Sequence, residues 1–178
     1  QLPAAAQGAV QFELFWQQFR PFAERITEMV EYKLPPICAR IPFDALGVTL
    51  QVRLDDLYRC RDGVARQTFF RFAELKAADE LKTGIYHLAL GLKGVRALPD
   101  APAIERSLCF GRDGALPALD GVVSPESAAA GMHELLKLYI EGLHRPLEFQ
   151  PDAAWRCAAA LEKGADAATA LDKASTAW

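Results

Sequence analysis

The chain has 178 residues, of which 51% are hydrophobic, 10% aromatic and 24% charged, a composition typical of a globular protein. A chain of this length can bury a sizeable core as a single domain, 1–178, without disulfides or a structural metal. The formal net charge of −3 excludes an overall basic surface of the kind that binds nucleic acid, so any contact with DNA must be local.

The cysteines and the first residues of the chain indicate where the protein works. Four cysteines lie far apart, with no C-x-x-C pair, which favours buried free thiols in a reducing compartment and predicts a cytoplasmic protein. No long apolar run or signal peptide is visible, so no membrane partner is expected. The chain begins at Gln1 without an initiator methionine, which suggests a fragment of a longer protein.

A leading helix is predicted within residues 1–33. Apolar side chains in residues 8–30 recur at steps of three and four, as on one face of an amphipathic helix. We expect this stripe to pack into the core, and Pro21 to kink or divide the helix. The stripe consists of Phe12, Phe15, Trp16, Phe19, Ala23, Ile26 and Met29.

Three strands are predicted next, at the start of a core that spans residues 34–150. The first covers residues 37–43, after a pair of prolines that ends any helix. The second alternates from Val48 to Leu54 and is expected to continue through Tyr58. Asp62 and Gly63 then predict a hairpin turn into the third strand, residues 66–72.

A helix, a strand and a second helix complete the predicted core. The period becomes helical after residue 73 and stays so to residue 92, and Gly84 inside this helix suggests close packing. A loop is expected at residues 99–102 and a strand at residues 104–110. Ser124 is a plausible N-cap for a helix over residues 125–143, whose stripe holds Leu135, Leu136, Tyr139, Ile140 and Leu143. Residues 151–178 predict a helical tail broken near Gly164.

This order of elements predicts an α/β fold with a mixed sheet flanked by helices. It is also the core order of restriction-endonuclease-like nucleases, the PD-(D/E)xK type. Such enzymes need an acid at the end of one strand and an acid and a lysine two residues apart on the next, because alternate residues share a face and converge on one Mg²⁺.

The chain meets that requirement only in part. Asp56 is in phase with the apolar face of the second strand and fits the first acid. Glu74 and Lys76 are the tempting partners, but their period is helical, and residues two apart on a helix point in different directions. Glu74 is then expected to be an acid of the first helical turn. Phe69 and Arg71, two apart on the strand itself, cannot bind a divalent cation.

Other sites are not indicated, apart from a local excess of basic residues on the hairpin. No histidine or cysteine cluster and no glycine-rich phosphate loop is visible, so no cofactor or metal is predicted. Arg59, Arg61 and Arg66 are candidates for DNA binding. The simpler alternative, a solvated hairpin, is open.

Residues 135–155 resemble the C-terminal region of RecC, the gamma subunit of exodeoxyribonuclease V. The segment contains an L-x-x-Y-x-x-G helix motif from Leu136 to Gly142, followed by Pro146 and Leu147, a second proline, Pro151, and Trp155. Residues 2–8, 72–90 and 171–174 fall in the order expected for the same family. The resemblance therefore covers nearly the whole chain.

The resemblance implies a nuclease-like domain that has lost its catalytic residues, with Phe69 and Arg71 where the metal-binding acid and lysine should be and Asp56 retained. It also implies a role in RecBCD, the helicase-nuclease of double-strand-break repair and recombination. There the domain would support assembly with RecB-like and RecD-like subunits and help guide or split duplex DNA, with double- and single-stranded DNA as partners.

Two alternatives are open. An active Mg²⁺-dependent nuclease would use Asp56, Glu74 and Lys76 and requires Glu74 to extend the third strand. A stand-alone α/β adaptor without a DNA role would show neither a nuclease-like sheet nor a basic face. The favoured role in a complex predicts apolar patches on the surface.

Overall fold

A computed structural model describes residues 6–96, 103–115, 118–146 and 150–176 of the chain. The predicted loop at residues 99–102 lies outside the described residues. The helices are α1 (Ala6–Met29), α2 (Ala77–Gly91), α3 (Lys93–Arg96), α4 (Pro125–His144), α5 (Pro151–Glu162) and α6 (Ala167–Ser175). The strands are β1 (Val30–Lys33), β2 (Ile37–Phe43), β3 (Val48–Leu54), β4 (Leu57–Cys60), β5 (Ala65–Arg71), β6 (Ile104–Gly111), β7 (Gly114–Ala115) and β8 (Leu119–Asp120).

The larger sheet is mixed, as predicted. Its strands follow the order β1-β4-β5-β6-β7, and β8 also pairs with β6. Of the strands in the described ranges, only β5 and β6 are parallel, and the chain between them passes through α2, as a parallel connection requires. β4 and β5 form the predicted hairpin, with Gly63 in its turn at a φ of 80°. The α/β fold with a mixed sheet and flanking helices is therefore confirmed.

The second predicted strand does not continue through Tyr58, and this prediction is wrong. β3 ends at Leu54 and pairs only with β2 in a separate two-stranded sheet, whereas β4 begins at Leu57 in the larger sheet. Leu54 and Leu57 are both buried at a spacing of three residues, which one continuous strand cannot place on the same face. The chain changes sheets at Asp55 and Asp56, so the phase of β3 does not carry over to Asp56.

The main hydrophobic cluster joins the β2–β3 hairpin to α2 and α4. Val52 and Leu54 on the hairpin pack with residues on the two helices. Gly91 of α2 allows close approach to α4, because an added Cβ would lie 2.8 Å from the Cβ of Ala128. The buried members of the cluster are Ile37, Phe43, Val52, Leu54, Leu57, Ala89, Leu90, Leu92, Val95, Ala128 and Met132.

The leading helix α1 runs through Pro21 as one element, so the predicted division does not occur. The expectation that its stripe packs into the core is wrong for the first half of the helix, where Phe12, Phe15 and Trp16 are exposed. The anchor is Phe22, which is buried and contacts Phe72 and Phe110 of the strand region. A 24-residue helix is about 36 Å long, and it makes its aromatic contacts with Phe72 and Phe110 through Phe15, Phe19 and Phe22.

Helix α4 has nearly the predicted boundaries but not all of the predicted burial, whereas α2 begins only at Ala77, later than predicted. Ser124 caps α4, since its hydroxyl accepts a hydrogen bond from the Ser127 amide at 3.1 Å. Tyr139 and Leu143 of the predicted stripe are exposed, whereas Ala128 and Met132 are buried. The tail divides into α5 and α6, as predicted, around a glycine with a φ of 84°.

The four cysteines differ in their exposure to solvent. All four cysteines are free. Cys60 and Cys109 are buried, as predicted for all four, but Cys38 is exposed and Cys157 is half-buried. Within the described ranges, no helix is long and apolar enough to span a bilayer.

Candidate functional site

Asp56 lies just before the β4–β5 hairpin, and Phe69 and Arg71 lie on its second strand. In its register Leu57 lies opposite Gln67, and the carbonyl of Asp56 accepts a hydrogen bond from the amide of Thr68 at 2.9 Å. Residues directly opposite in an antiparallel pair share a face of the sheet. Asp56 is therefore grouped with Thr68, and Phe69, the next residue, faces the other side.

Phe69 faces α2 and is only 6% exposed. Its ring lies edge to face with Tyr86 of α2, with centroids 5.0 Å apart. The ammonium of Lys82, one turn earlier on the same helix, lies 4.3 Å from the centroid of Phe69. The strand position that would carry a metal-binding carboxylate in a nuclease thus holds an apolar ring with a fixed cation beside it.

Arg71, two residues further on the same face, is held by α2. Its Nη1 lies 2.5 Å from Oδ2 of Asp79, and the same oxygen accepts a hydrogen bond from the amide of Lys76 at 2.9 Å. Burial, the largest single effect, would raise the pKa of the Asp79 carboxyl, but these hydrogen bonds and the positive charges of Arg71 and Lys82 together lower it. Arg71 and Asp79 therefore fasten the start of α2 to the end of β5.

Asp56 lies near the aromatic residues of the opposite face. Tyr58 contacts Phe70 there, with ring centroids 5.3 Å apart, and Phe70 contacts Phe110. Burial raises the pKa of the Tyr58 phenol, and the negative charge of Asp56 raises it further. The guanidinium of Arg25 on α1 lies 5.0 Å from the Phe110 ring, so this face is the one that α1 covers. The side chains of Phe69 and Arg71 converge on α2, and Asp56 does not join them.

Glu74 and Lys76 lie between β5 and α2. β5 ends at Arg71 and α2 begins at Ala77, so Glu74 neither extends the strand nor belongs to the first helical turn. The predicted role of Glu74 as a first-turn acid is wrong, and Asp79 and Glu80 occupy that turn instead. Within the ranges that the structure describes, no three His, Cys, Asp or Glu side chains are grouped so that they could bind a metal ion.

The three candidate DNA-binding arginines are all engaged within the chain. Arg66 is mostly buried and forms an ion pair with Asp62 of the hairpin turn. Arg59 donates to the carbonyl of Gly63 at 2.5 Å. Arg61 is exposed and donates through Nε to the carbonyl of Thr27 on α1 at 2.9 Å. Arg61 borders a shallow cleft with Trp16 and Arg20 of α1, so it is the most accessible of the three.

A line of buried polar side chains, which sequence patterns did not reveal, crosses from the sheet to α2. The Ser107 hydroxyl donates to Oε1 of Gln67 at 3.0 Å and lies 2.9 Å from Nδ1 of His87. Gln67 and Ser107 are fully buried, and His87 is half-buried. Burial lowers the pKa of His87, partly opposed by the charge of Asp120. His87 is thus held against the sheet by its contact with Ser107.

Burial of His87 beside Ser107 predicts that the free energy of unfolding depends on pH. Because the pKa of His87 is lower in the folded chain, the unfolded chain binds more protons once the pH falls below about 6.5. We expect the free energy of unfolding to fall with decreasing pH, with a slope of up to about 1.4 kcal/mol per pH unit from this residue. Urea titrations from pH 7.5 to 5 should show that His87→Gln removes this slope. A His144→Gln variant keeps His87 and should keep it; an unchanged slope in His87→Gln would contradict the assignment.

The first half of α1 presents an aromatic face that the sequence did not identify as a surface. Phe12 and Trp16 are 51% and 44% exposed and stack with their rings 8° from parallel. Val10, Leu14 and Phe15 are also exposed. We call Phe12, Phe15 and Trp16, which share one side of the helix, the α1 aromatic face. Val10 and Leu14 lie off the predicted stripe, so this half of the helix is apolar on more sides than one core contact needs. This distribution is the sequence signal for an exposed apolar surface on α1.

These features define the class of domain, a mixed-sheet α/β domain with a β4–β5 hairpin, a parallel crossover through α2 and an exposed aromatic helix. The chain belongs to the RecC C-terminal domain family, whose family model matches residues 1–162. This membership associates the chain with the RecBCD complex, which is a nuclease and helicase of DNA repair. No curated protein matches the chain.

Proposed function

We propose that the chain is a non-catalytic domain that supports the assembly of a RecBCD-type complex through the α1 aromatic face. The exposed aromatic residues carry this proposal. A contiguous apolar surface is costly to leave in water and marks an interaction site when it is large. The few residues that dominate the energy of protein interfaces are enriched in tryptophan and tyrosine. The expected partners are the RecB-like and RecD-like subunits.

The absence of catalysis is proposed from the arrangement around β5. Phe69 and Arg71 take the positions of the metal-binding acid and the lysine, and α2 engages both. Glu74, which an active nuclease would need on the strand, lies in the loop that follows it. The hairpin and the crossover to a parallel strand support a restriction-endonuclease-like core in which the site is degenerate.

We also propose that the domain contacts duplex or single-stranded DNA. Arg61 supports it, because its side chain is exposed in the cleft beside Trp16. Arg66 supports it least, because its guanidinium is mostly buried against Asp62. We therefore propose that the domain guides DNA through few contacts of its own and that its main role is to hold subunits together.

Assembly can be tested by combining the chain with purified RecB and RecD subunits and measuring complex formation by mass photometry. A Phe12→Ser, Trp16→Ser variant should weaken assembly by about 30-fold or more, because an aromatic hot spot contributes about 2 kcal/mol or more. The control is Leu171→Ser, which removes an even more exposed apolar residue from α6. Equal assembly by both variants would refute a role for the α1 aromatic face.

A further inference from the structure

A groove of about 680 Å³ lies between α2, α4 and α5, away from the α1 aromatic face. Leu81, Ile85 and Leu88 of α2 form one wall, and Leu135 of α4 and Trp155 of α5 contribute to the others. Trp155 is 41% exposed although it lies beside other apolar side chains. The groove is therefore an apolar surface with three helical walls that the described residues leave open.

Gly84 in the lining leaves room for an occupant near the backbone of α2. The sequence predicted close packing at Gly84, and this is wrong, because a Cβ added there would meet nothing within 4 Å. A glycine inside a helix costs about 1 kcal/mol relative to alanine, and no contact within the described chain offsets that cost. On the facing helix, Gly131 instead allows α4 to lie close to α2, because an added Cβ would lie 3.3 Å from the side chain of Leu88.

The charges in the groove restrict what can cover it. Glu80 and Glu162 line it, and none of the lysines or arginines that the structure describes does. Neither carboxylate has an ion-pair partner within the described part of the chain. Burial already raises the pKa of Glu80. Glu162 ends α5, where the helix dipole is also negative.

An occupant without positive charge would bury these carboxylates unpaired, which is strongly unfavourable. Nucleic acid and anionic membranes would be repelled by them. A segment with apolar residues on one side and lysine or arginine beside them would pack against the apolar walls and pair with the two carboxylates. Amphipathic helices bind such apolar grooves by inserting one face.

We propose that this groove is a docking site for a basic amphipathic helix of a protein partner. The site is distinct from the α1 aromatic face and does not depend on it. Loss of groove binding would therefore leave the assembly measured through Phe12 and Trp16 unaffected, so the two proposals can fail separately.

The probe is a synthetic amphipathic helix of leucine and lysine, about 15 residues long so that a helix can form. Its binding to the 178-residue chain is followed by the fluorescence of Trp155 in a Trp16→Phe, Trp178→Phe background, which leaves one of the three tryptophans. We expect saturable binding that weakens with salt. The same peptide with glutamate in place of lysine should not bind.

Three variants locate the binding. Gly84→Leu, which fills the groove, should weaken binding at least tenfold, whereas Ala78→Leu on the exposed side of the same helix should not change it. Glu80→Gln with Glu162→Gln should also weaken binding about tenfold and remove its salt dependence. The proposal is overturned if Gly84→Leu binds normally, if Phe12→Ser with Trp16→Ser abolishes binding, or if the chain self-associates through the groove in place of binding the peptide.

Discussion

Replacement of Phe69 by aspartate together with Arg71 by lysine is expected to destabilise the chain by about 3–5 kcal/mol without creating a metal site. The double variant restores the acid and lysine spacing of an active nuclease strand. The cost arises because Phe69 is buried against Tyr86, and truncation of a core aromatic residue leaves a cavity. Lys82 lies close enough to pair with the new carboxylate, which offsets part of the cost of burying its charge.

We do not expect the double variant to bind a metal ion, because Asp56 lies with Tyr58 and Phe70 on the other face of the sheet. Urea denaturation measures the loss of stability, and isothermal titration with Mg²⁺ or Mn²⁺ tests for a site. Phe69→Leu is the control, because it keeps an apolar residue and should cost much less. Saturable metal binding in the double variant that is lost on adding Asp56→Ala would contradict both the geometry and the proposed non-catalytic role.

The sequence predicted most of the elements because local signals define them. Ser124 and Pro125 mark the start of α4, and Gly63 marks the hairpin turn, since each choice is set by the local backbone. The division at Asp55 and Asp56 was missed because Asp56 and Tyr58 were placed in phase with β3, although the buried pair Leu54 and Leu57 breaks the alternation. Only the pairing partners of β3 and β4, which are far away in the chain, show that the two strands belong to different sheets.

The positions of the helices were easier to predict than which of their residues are buried. The stripe of α1 has the period of a core helix, but periodicity does not say how far the surface beneath the helix extends. Phe22, which is off the predicted stripe, is buried, and Trp16, which is on it, is exposed. For the candidate site, the identities of Phe69 and Arg71 were readable from strand spacing. Their engagement by Lys82 and Asp79 was not, because it depends on how α2 packs across the sheet.

Gly91→Ala is expected to lower the free energy of unfolding by about 1–3 kcal/mol, the usual cost of overpacking a core. The new methyl group would lie 2.8 Å from the Cβ of Ala128 and 3.0 Å from the carbonyl oxygen of Val123. Ala128 is fully buried and backbone atoms cannot rotate away, so α2 and α4 would have to separate. Urea denaturation with an unchanged m-value would measure the loss directly.

Gly84→Ala is the matched control in the same helix, and it should raise the free energy of unfolding by about 0.5–1 kcal/mol. Nothing lies within 4 Å of the added Cβ, so only the helix propensity changes. Identical substitutions seven residues apart are thus expected to have opposite signs, which separates backbone propensity from helix packing. A loss of stability in Gly84→Ala would mean that the groove is filled by the chain itself and would count against an external helix at this surface.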